Sequence, residues 1–189
     1  MRKLTYYVAT SLDGFIAGPD GEFDFFAFEG DLAAAILADY PETMPAPARE
    51  PLGIAEAANK TFDTVLMGRA TYEPALASGI TSPYSHLRQY VFSRTLEQSD
   101  PQVQIVAGDP VEFVRELKRA DGMGIWLCGG AILAGQLVDE IDELVIKRYP
   151  VVLGSGTPLF RAPFKVTGFA LNDNRTFQTG ATISTYVKH

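Results

Sequence analysis

Three stretches of the chain place small or basic residues directly after a run of apolar, strand-forming ones. Met67-Gly68-Arg69-Ala70-Thr71 and Cys128-Gly129-Gly130-Ala131-Ile132 both leave such a run through glycine, and Tyr90-Val91-Phe92 leads into Ser93-Arg94-Thr95. Where a strand hands over to a helix through glycine, free backbone N–H groups and the partial positive charge of the helix N-terminus meet, and both favour phosphate. If the three strands are parallel, the junctions share one edge of the sheet. A pyrophosphate then fits between the two glycine turns, and the Ser-Arg-Thr trio suits a phosphate monoester. Taken singly, glycine after a strand is more often only a turn residue, and Arg69 and Arg94 are solvated charges. Their recurrence at successive strand ends is what points to a phosphate-bearing ligand.

Other chemistries lack their residues. His86 lies in a Pro-Tyr-Ser-His stretch and His189 ends the chain, so no histidine pair has metal-ligand spacing. The single cysteine, Cys128, provides neither a disulfide nor a thiolate cluster, and no metal is expected. Gly154-Ser155-Gly156 is not the Gly-x-Ser-x-Gly elbow of a nucleophilic serine, and no Walker-type lysine follows a glycine run. With 23 acidic against 16 basic residues the net charge is −7. A nucleic acid would therefore meet repulsion, although a few positioned arginines can still hold a small phosphate. No stretch approaches the ~20 uninterrupted apolar residues of a membrane-spanning helix. The N-terminal MRKLTYYVATSLDG is interrupted by Thr5, Thr10 and Ser11 and does not read as a signal peptide. Together these features fit a protein of the reducing cytoplasm, without membrane or nucleic-acid partners.

The elements that must position the junctions follow from periodicity. At 189 residues and 47% apolar content, the chain suits one packed domain over 1–189. Leu4 to Ala9 is an apolar, aromatic and β-branched run that stops at Asp13-Gly14, which predicts a buried first strand. Asp31 to Asp39 reads as a short helix. Pro41, Pro45, Pro47 and Pro51 then predict an irregular surface excursion over 40–51, placed to serve as a lid, followed by a second helix over Leu52 to Lys60. Strands are expected at Thr64 to Met67, Gln89 to Ser93, Val103 to Ala107, Ile125 to Cys128 and Leu144 to Val152. Helices are expected at Ala70 to Leu76 and Ala131 to Val138. A third begins at Asp109, whose role as N-cap is signalled by Pro110 and Glu112. This alternation predicts an α/β fold with a mostly parallel sheet and helices on both faces. Phe164 to Leu171 and Thr182 to Val187, around a turn near Asp173-Asn174, predict an antiparallel C-terminal edge.

The same junctions carry a family resemblance. VLMGRATYEP (65–74) resembles the signature of dihydrofolate reductases, and YVFSRT (90–95) and WLCGGAIL (126–133) are similar to that family's next two cofactor segments, in matching order. SLDGFIAG (11–18) and IDELVIKRYPVVLGSGTPLF (141–160) resemble a sister family more closely. That family is the reductase domain at the C-terminus of bifunctional riboflavin-biosynthesis deaminase-reductases, also found as free-standing bacterial proteins. The resemblance implies a three-layer dihydrofolate reductase-like fold, NADPH as cofactor and a small heterocyclic substrate. The homodimeric state is expected from the resemblance and from the apolar strand Leu144 to Val152 near the C-terminal edge. The resemblance also places Ala9, Ile16 and Ala17 near the nicotinamide ribose. It puts Gly68, Arg69, Ala70 and Thr71 with Gly129, Gly130, Ala131 and Ile132 on the pyrophosphate, and Ser93, Arg94 and Thr95 at the adenosine 2′-phosphate. One cysteine could not build the zinc site of a deaminase half.

Hydride delivery to a C=N or C=O bond needs an acid, or a water held by one, beside the acceptor. Asp31 resembles the carboxylate that faces the pterin in dihydrofolate reductases, and equally reads as an acid stabilising a helix N-terminus. Asp13 is the alternative, and as Asp-Gly after a strand it is more often a turn former than an acid. A dihydrofolate or pteridine reductase, and a protein that senses NADPH without turnover, stand as the competing functions.

Overall fold

A computed structural model describes all residues, 1–189. One eight-stranded sheet runs through it in the order β5-β4-β3-β6-β1-β7-β10-β9. Its members are β1 (Leu4–Thr10), β3 (Phe62–Gly68), β4 (Arg88–Phe92), β5 (Val103–Val106), β6 (Gly124–Gly129), β7 (Glu143–Arg148), β9 (Phe169–Thr176) and β10 (Thr182–Lys188). The first six are mutually parallel, and β10 and β9 add an antiparallel edge. A two-stranded ribbon, β2 (Phe15–Ala17) with β8 (Thr157–Pro158), stands apart.

Burial on both faces explains why the parallel strands read as continuous apolar runs. On one face Tyr7, Val65, Met67, Val91, Trp126 and Val145 pack under α1 (Gly30–Asp39) and α3 (Arg69–Ala77). On the other, Leu4, Tyr6, Val8, Leu66, Ile125 and Leu127 pack under α4 (Pro110–Arg119) and α5 (Ala131–Gln136). The expected three layers, parallel sheet and antiparallel edge are therefore present. The α4 boundary falls where Asp109 and Pro110 predicted it: the Asp109 carboxylate accepts from Val111 N at 2.7 Å and Glu112 N at 3.3 Å.

Several expectations are corrected. The 40–51 excursion is not a loose lid. It forms a 3₁₀ turn (Pro41–Thr43) and a single helical turn, α2 (Ala46–Arg49), and is stapled to the body by two buried polar side chains. The fully buried Glu42 carboxyl accepts from Lys60 N (3.2 Å), Thr61 N (2.7 Å) and Phe62 N (2.8 Å). Arg49 donates to Pro41 O (2.8 Å) and Ala57 O (2.6 Å). The helix expected over Leu52 to Lys60 is a string of turns, because its backbone is spent on those contacts and on the Gly53 turn. Residues 164–168 precede the strand, and Asp173-Asn174 lie within β9; the hairpin turns instead at Phe177 to Gly180, where Gly180 takes φ +82°. The strand from Leu144 stops at Arg148 and is internal, paired with β1 and β10, so it offers no free edge for a partner.

Candidate functional site

Because β1, β3, β4, β6 and β7 are parallel, their carboxyl ends reach one edge of the sheet, and all three junctions meet there. The glycine turns ending β3 and β6 are in close approach. A Cβ built on Gly130 would lie 3.5 Å from Gly68 Cα and 3.5 Å from Thr71 Oγ1, and Gly130 takes φ +105°, where a side chain is strained. A register irregularity between Leu66 and Met67, which pair with Leu127 and Gly129, sets this approach.

The helix ends at this edge differ in a telling way. α4 is closed by its Asp109 cap and has Glu112 in its first turn. α3, with Gly68 at its N-cap, and α5, with Gly130, have neither a side-chain cap nor an acid in the first turn. Their leading N–H groups are thus open to an anion from outside the chain. Beside them, Arg69 is already engaged, donating to Glu73 Oε1 at 2.6 Å and Thr95 Oγ1 at 2.8 Å. Ser93 Oγ accepts from Thr95 N (3.3 Å) and Leu96 N (3.0 Å), which shapes the turn that holds Arg94. Arg94 is exposed and has no ion pair or hydrogen bond within the chain.

The β1 end and the ribbon complete the edge. Ala9 is next to last in β1, and Ile16 and Ala17 lie on β2, all half-buried. Gly156, at φ +146°, passes so close to Ala17 O that a Cβ there would lie 2.2 Å away, so only glycine allows β8 to join β2. Exposed apolar side chains stand on the loops and helix start around the strand ends: Leu12, Phe23 and Val152 in loops, and Ile132 in α5. An open concavity of about 350 Å³ beside Met1, Arg2, Thr61 and Met123 lies at the opposite edge and gathers none of these residues.

The two acid candidates fare differently. Asp13 accepts from Ser11 Oγ (2.6 Å), Gly154 N (2.7 Å) and Leu153 N (3.1 Å). These bonds, that from Ser11 foremost, push its carboxyl down to about 2. At that value it is ionised at neutral pH, and its bonds latch the β1–β2 loop to the 153–154 loop. Asp31 stands exposed in the first turn of α1 and accepts from Gln178 N at 3.0 and 3.2 Å, which ties α1 to the β9–β10 turn at the same edge.

Sequence reading passed over Lys147. Its signal was a lysine inside the apolar run Leu144-Val145-Ile146 of a central strand. Lys147 pairs with Ala9, and its Nζ lies over the Tyr7 ring, 4.0 Å from the centroid. Burial pushes its ammonium down to about 8 and pushes the neighbouring Cys128 thiol up to about 11.

The sequence profile of the RibD C-terminal domain matches residues 2–184. Among curated relatives, the uncharacterized protein YwjB of Bacillus subtilis (strain 168) is 34% identical over 182 residues, covering 93% of this chain and 92% of its own. YyaP of the same organism is 29% identical over 192 residues, covering 95% and 91%. Among solved structures, a "putative riboflavin biosynthesis protein" from Shewanella sp. PV-4 superposes on the whole chain and 99% of its own, with TM-score 0.71 and 27% identity. A deaminase/5-amino-6-(5-phosphoribosylamino)uracil reductase from Thermotoga maritima covers the whole chain with 57% of its own length, at TM-score 0.66 and 17% identity, a likeness of fold.

Proposed function

Since the chain belongs to the RibD C-terminal domain family, within the dihydrofolate reductase-like superfamily, we propose that it is an NADPH-dependent reductase of a small heterocyclic substrate. The observation that carries this reading is the contrast among helix ends at the carboxyl edge: α4 is closed by carboxylates, whereas the glycine turns of α3 and α5 leave N–H groups open side by side. That arrangement fits a pyrophosphate. Gly68 to Thr71 and Gly129 to Ile132 would hold it, Ser93, Arg94 and Thr95 the 2′-phosphate, and Ala9, Ile16 and Ala17 the nicotinamide ribose. When bound, the reduced nicotinamide supplies a hydride. The chain binds, orients and excludes water: Arg69 fixes Thr95, Asp13 latches the loop beyond β1, and the apolar side chains of the edge keep the reacting ring dry.

Fluorescence titration with NADPH, followed by cofactor consumption against a panel of pyrimidines, pterins and small carbonyls, tests the reading. Micromolar binding with consumption by at least one compound is expected. Binding with no consumption across the panel would establish a sensor, and absence of binding would overturn the proposal. Within that panel dihydrofolate is expected to give little or no turnover, because the SLDGFIAG loop and the stapled 40–51 segment differ from a pterin site. Robust steady-state reduction at micromolar dihydrofolate would contradict this.

The protein is further proposed to be a homodimer. On the C-terminal side the free edge is β9 rather than β7, and Leu171 on it, with Phe164 and Val166 just before it, exposes 59%, 97% and 84% of its surface. Light scattering is expected to give twice the 20.6 kDa chain mass, and a mass near 20.6 kDa would end the idea. No helix is long and apolar enough to cross a membrane.

A further inference from the structure

Lys147, half-buried on β7, stands apart from the chain's buried basic groups, each of which has protein partners. Arg2 reaches Asp63, Thr64 Oγ1 (2.7 Å) and Met123 O (2.6 Å). Arg49 reaches two carbonyls, and Lys118 pairs with Asp142 at 2.7 Å and donates to Glu140 O at 2.9 Å. Lys147 Nζ makes no hydrogen bond or ion pair within the chain; an aromatic face is its one neighbour of complementary polarity. A cation partly withdrawn from water and without an acceptor in the chain is left to water or to a bound ligand, and a ring face compensates only in part.

The surroundings supply no counter-charge. Tyr7 faces it from β1, Cys128 from β6, and Tyr84 reaches Cys128 Sγ at 4.0 Å from the segment before β4. Tyr40 at the end of α1 and Tyr149 just beyond β7 belong to the same cluster. Burial raises the thiol and these hydroxyls above their ordinary values, so all are neutral at neutral pH. The position is also the right one for a reacting ring. Lys147 is paired with Ala9, where the proposed cofactor's nicotinamide end would arrive, and the flanking aromatics Tyr7, Tyr40, Phe26 and Tyr149 offer flat apolar faces.

We propose that the Lys147 ammonium is the subsite for the substrate's oxygen, and that the substrate is a planar ring bearing an enolate, or a carbonyl whose oxygen gains negative charge as the ring is reduced. This deepens the reductase reading and rests on it. A carboxylate in such a place would select a protonated or amidine-like ring; an ammonium selects the opposite charge and stabilises negative charge that develops on oxygen.

The test uses the full-length protein without cofactor and two matched probes, 4-nitrophenol and its neutral ether 4-nitroanisole. Trp126, the single tryptophan, lies 6.1 Å from Tyr7 and 4.9 Å from Tyr84 by ring centroids, and its emission reports binding of both probes. The protein is expected to bind the phenolate at least tenfold tighter than the ether and to raise the yellow phenolate fraction at fixed pH. Lys147→Met is expected to abolish that preference and the colour shift while leaving ether affinity and near-UV circular dichroism unchanged, and Lys147→Arg to keep the preference. Equal binding of the two probes by the wild-type protein, no binding of either, or a preference that survives Lys147→Met would overturn the proposal. The wild-type comparison decides even if Lys147→Met fails to fold. NADPH is titrated separately: its failure to bind, with phenolate preference intact, would sink the cofactor reading alone, and the reverse would sink this proposal alone.

Discussion

Arg94→Ala is expected to weaken NADPH binding by roughly ten- to a hundred-fold while leaving NADH affinity and the fold unchanged. The 2′-phosphate carries nearly two negative charges at neutral pH, and a guanidinium meets it through charge-assisted, often bidentate hydrogen bonds. Of the two arginines at this edge, Arg69 already shares its charge with Glu73 and its donors with Thr95, whereas Arg94 has no partner of its own. The turn that presents Arg94 is held by Ser93 Oγ and by the Arg69–Thr95 contact, so truncating Arg94 leaves the turn in place. Calorimetric titration of the variant with both cofactors provides the measurement. Equal weakening of NADPH and NADH would show that Arg94 serves a shared part of the cofactor or the scaffold, and the 2′-phosphate site would have to be placed elsewhere.

Glu42→Ala is expected to lower stability by about 3–5 kcal/mol, since it strands three backbone donors and leaves a void. The Glu42 carboxyl is fully buried and satisfies the N–H groups of Lys60, Thr61 and Phe62, at the amino end of the strand whose other end is Gly68. Its own carbonyl lies 2.8 Å from His86 Nε2, whose protonation burial disfavours, so the neutral ring donates that bond. For a chain of this length such a loss lowers the unfolding midpoint by roughly ten degrees or more. Glu42→Gln keeps the shape and one good acceptor and should fall between wild type and Glu42→Ala. Urea unfolding that shows less than about 1 kcal/mol of change for Glu42→Ala would mean that the segment is not stapled as described. Cofactor affinity of the folded variant should be unchanged, because Glu42 lies at the far end of β3 from the glycine turns.

The parallel core and its edge were legible in sequence because they rest on local chemistry. A strand covered on both faces must be apolar throughout, as Leu4 to Ala9 and Ile125 to Cys128 are, and a strand-to-helix turn that needs open N–H groups must be small, as Gly68 and Gly129-Gly130 are. The Asp109-Pro110-Glu112 start of α4 was legible for the same reason, since a helix cap is satisfied within three residues of itself. The chain's own letters also carried the family. What they left open depends on partners far along the chain. The prolines of 40–51 suggested a lid because nothing local shows that Glu42 and Arg49 bond to the backbone of residues 57–62. Asp13 reads more readily as a turn former than as an acid, and the 153–154 backbone, 140 and more residues away, makes it a latch. Lys147 is marked in sequence only as a lysine ending an apolar run, and its setting appears when β7 pairs with β1 and Cys128 of β6 comes near. Charge state and exposure are properties of what surrounds a group, and those surroundings come from strand register between segments that no local pattern relates.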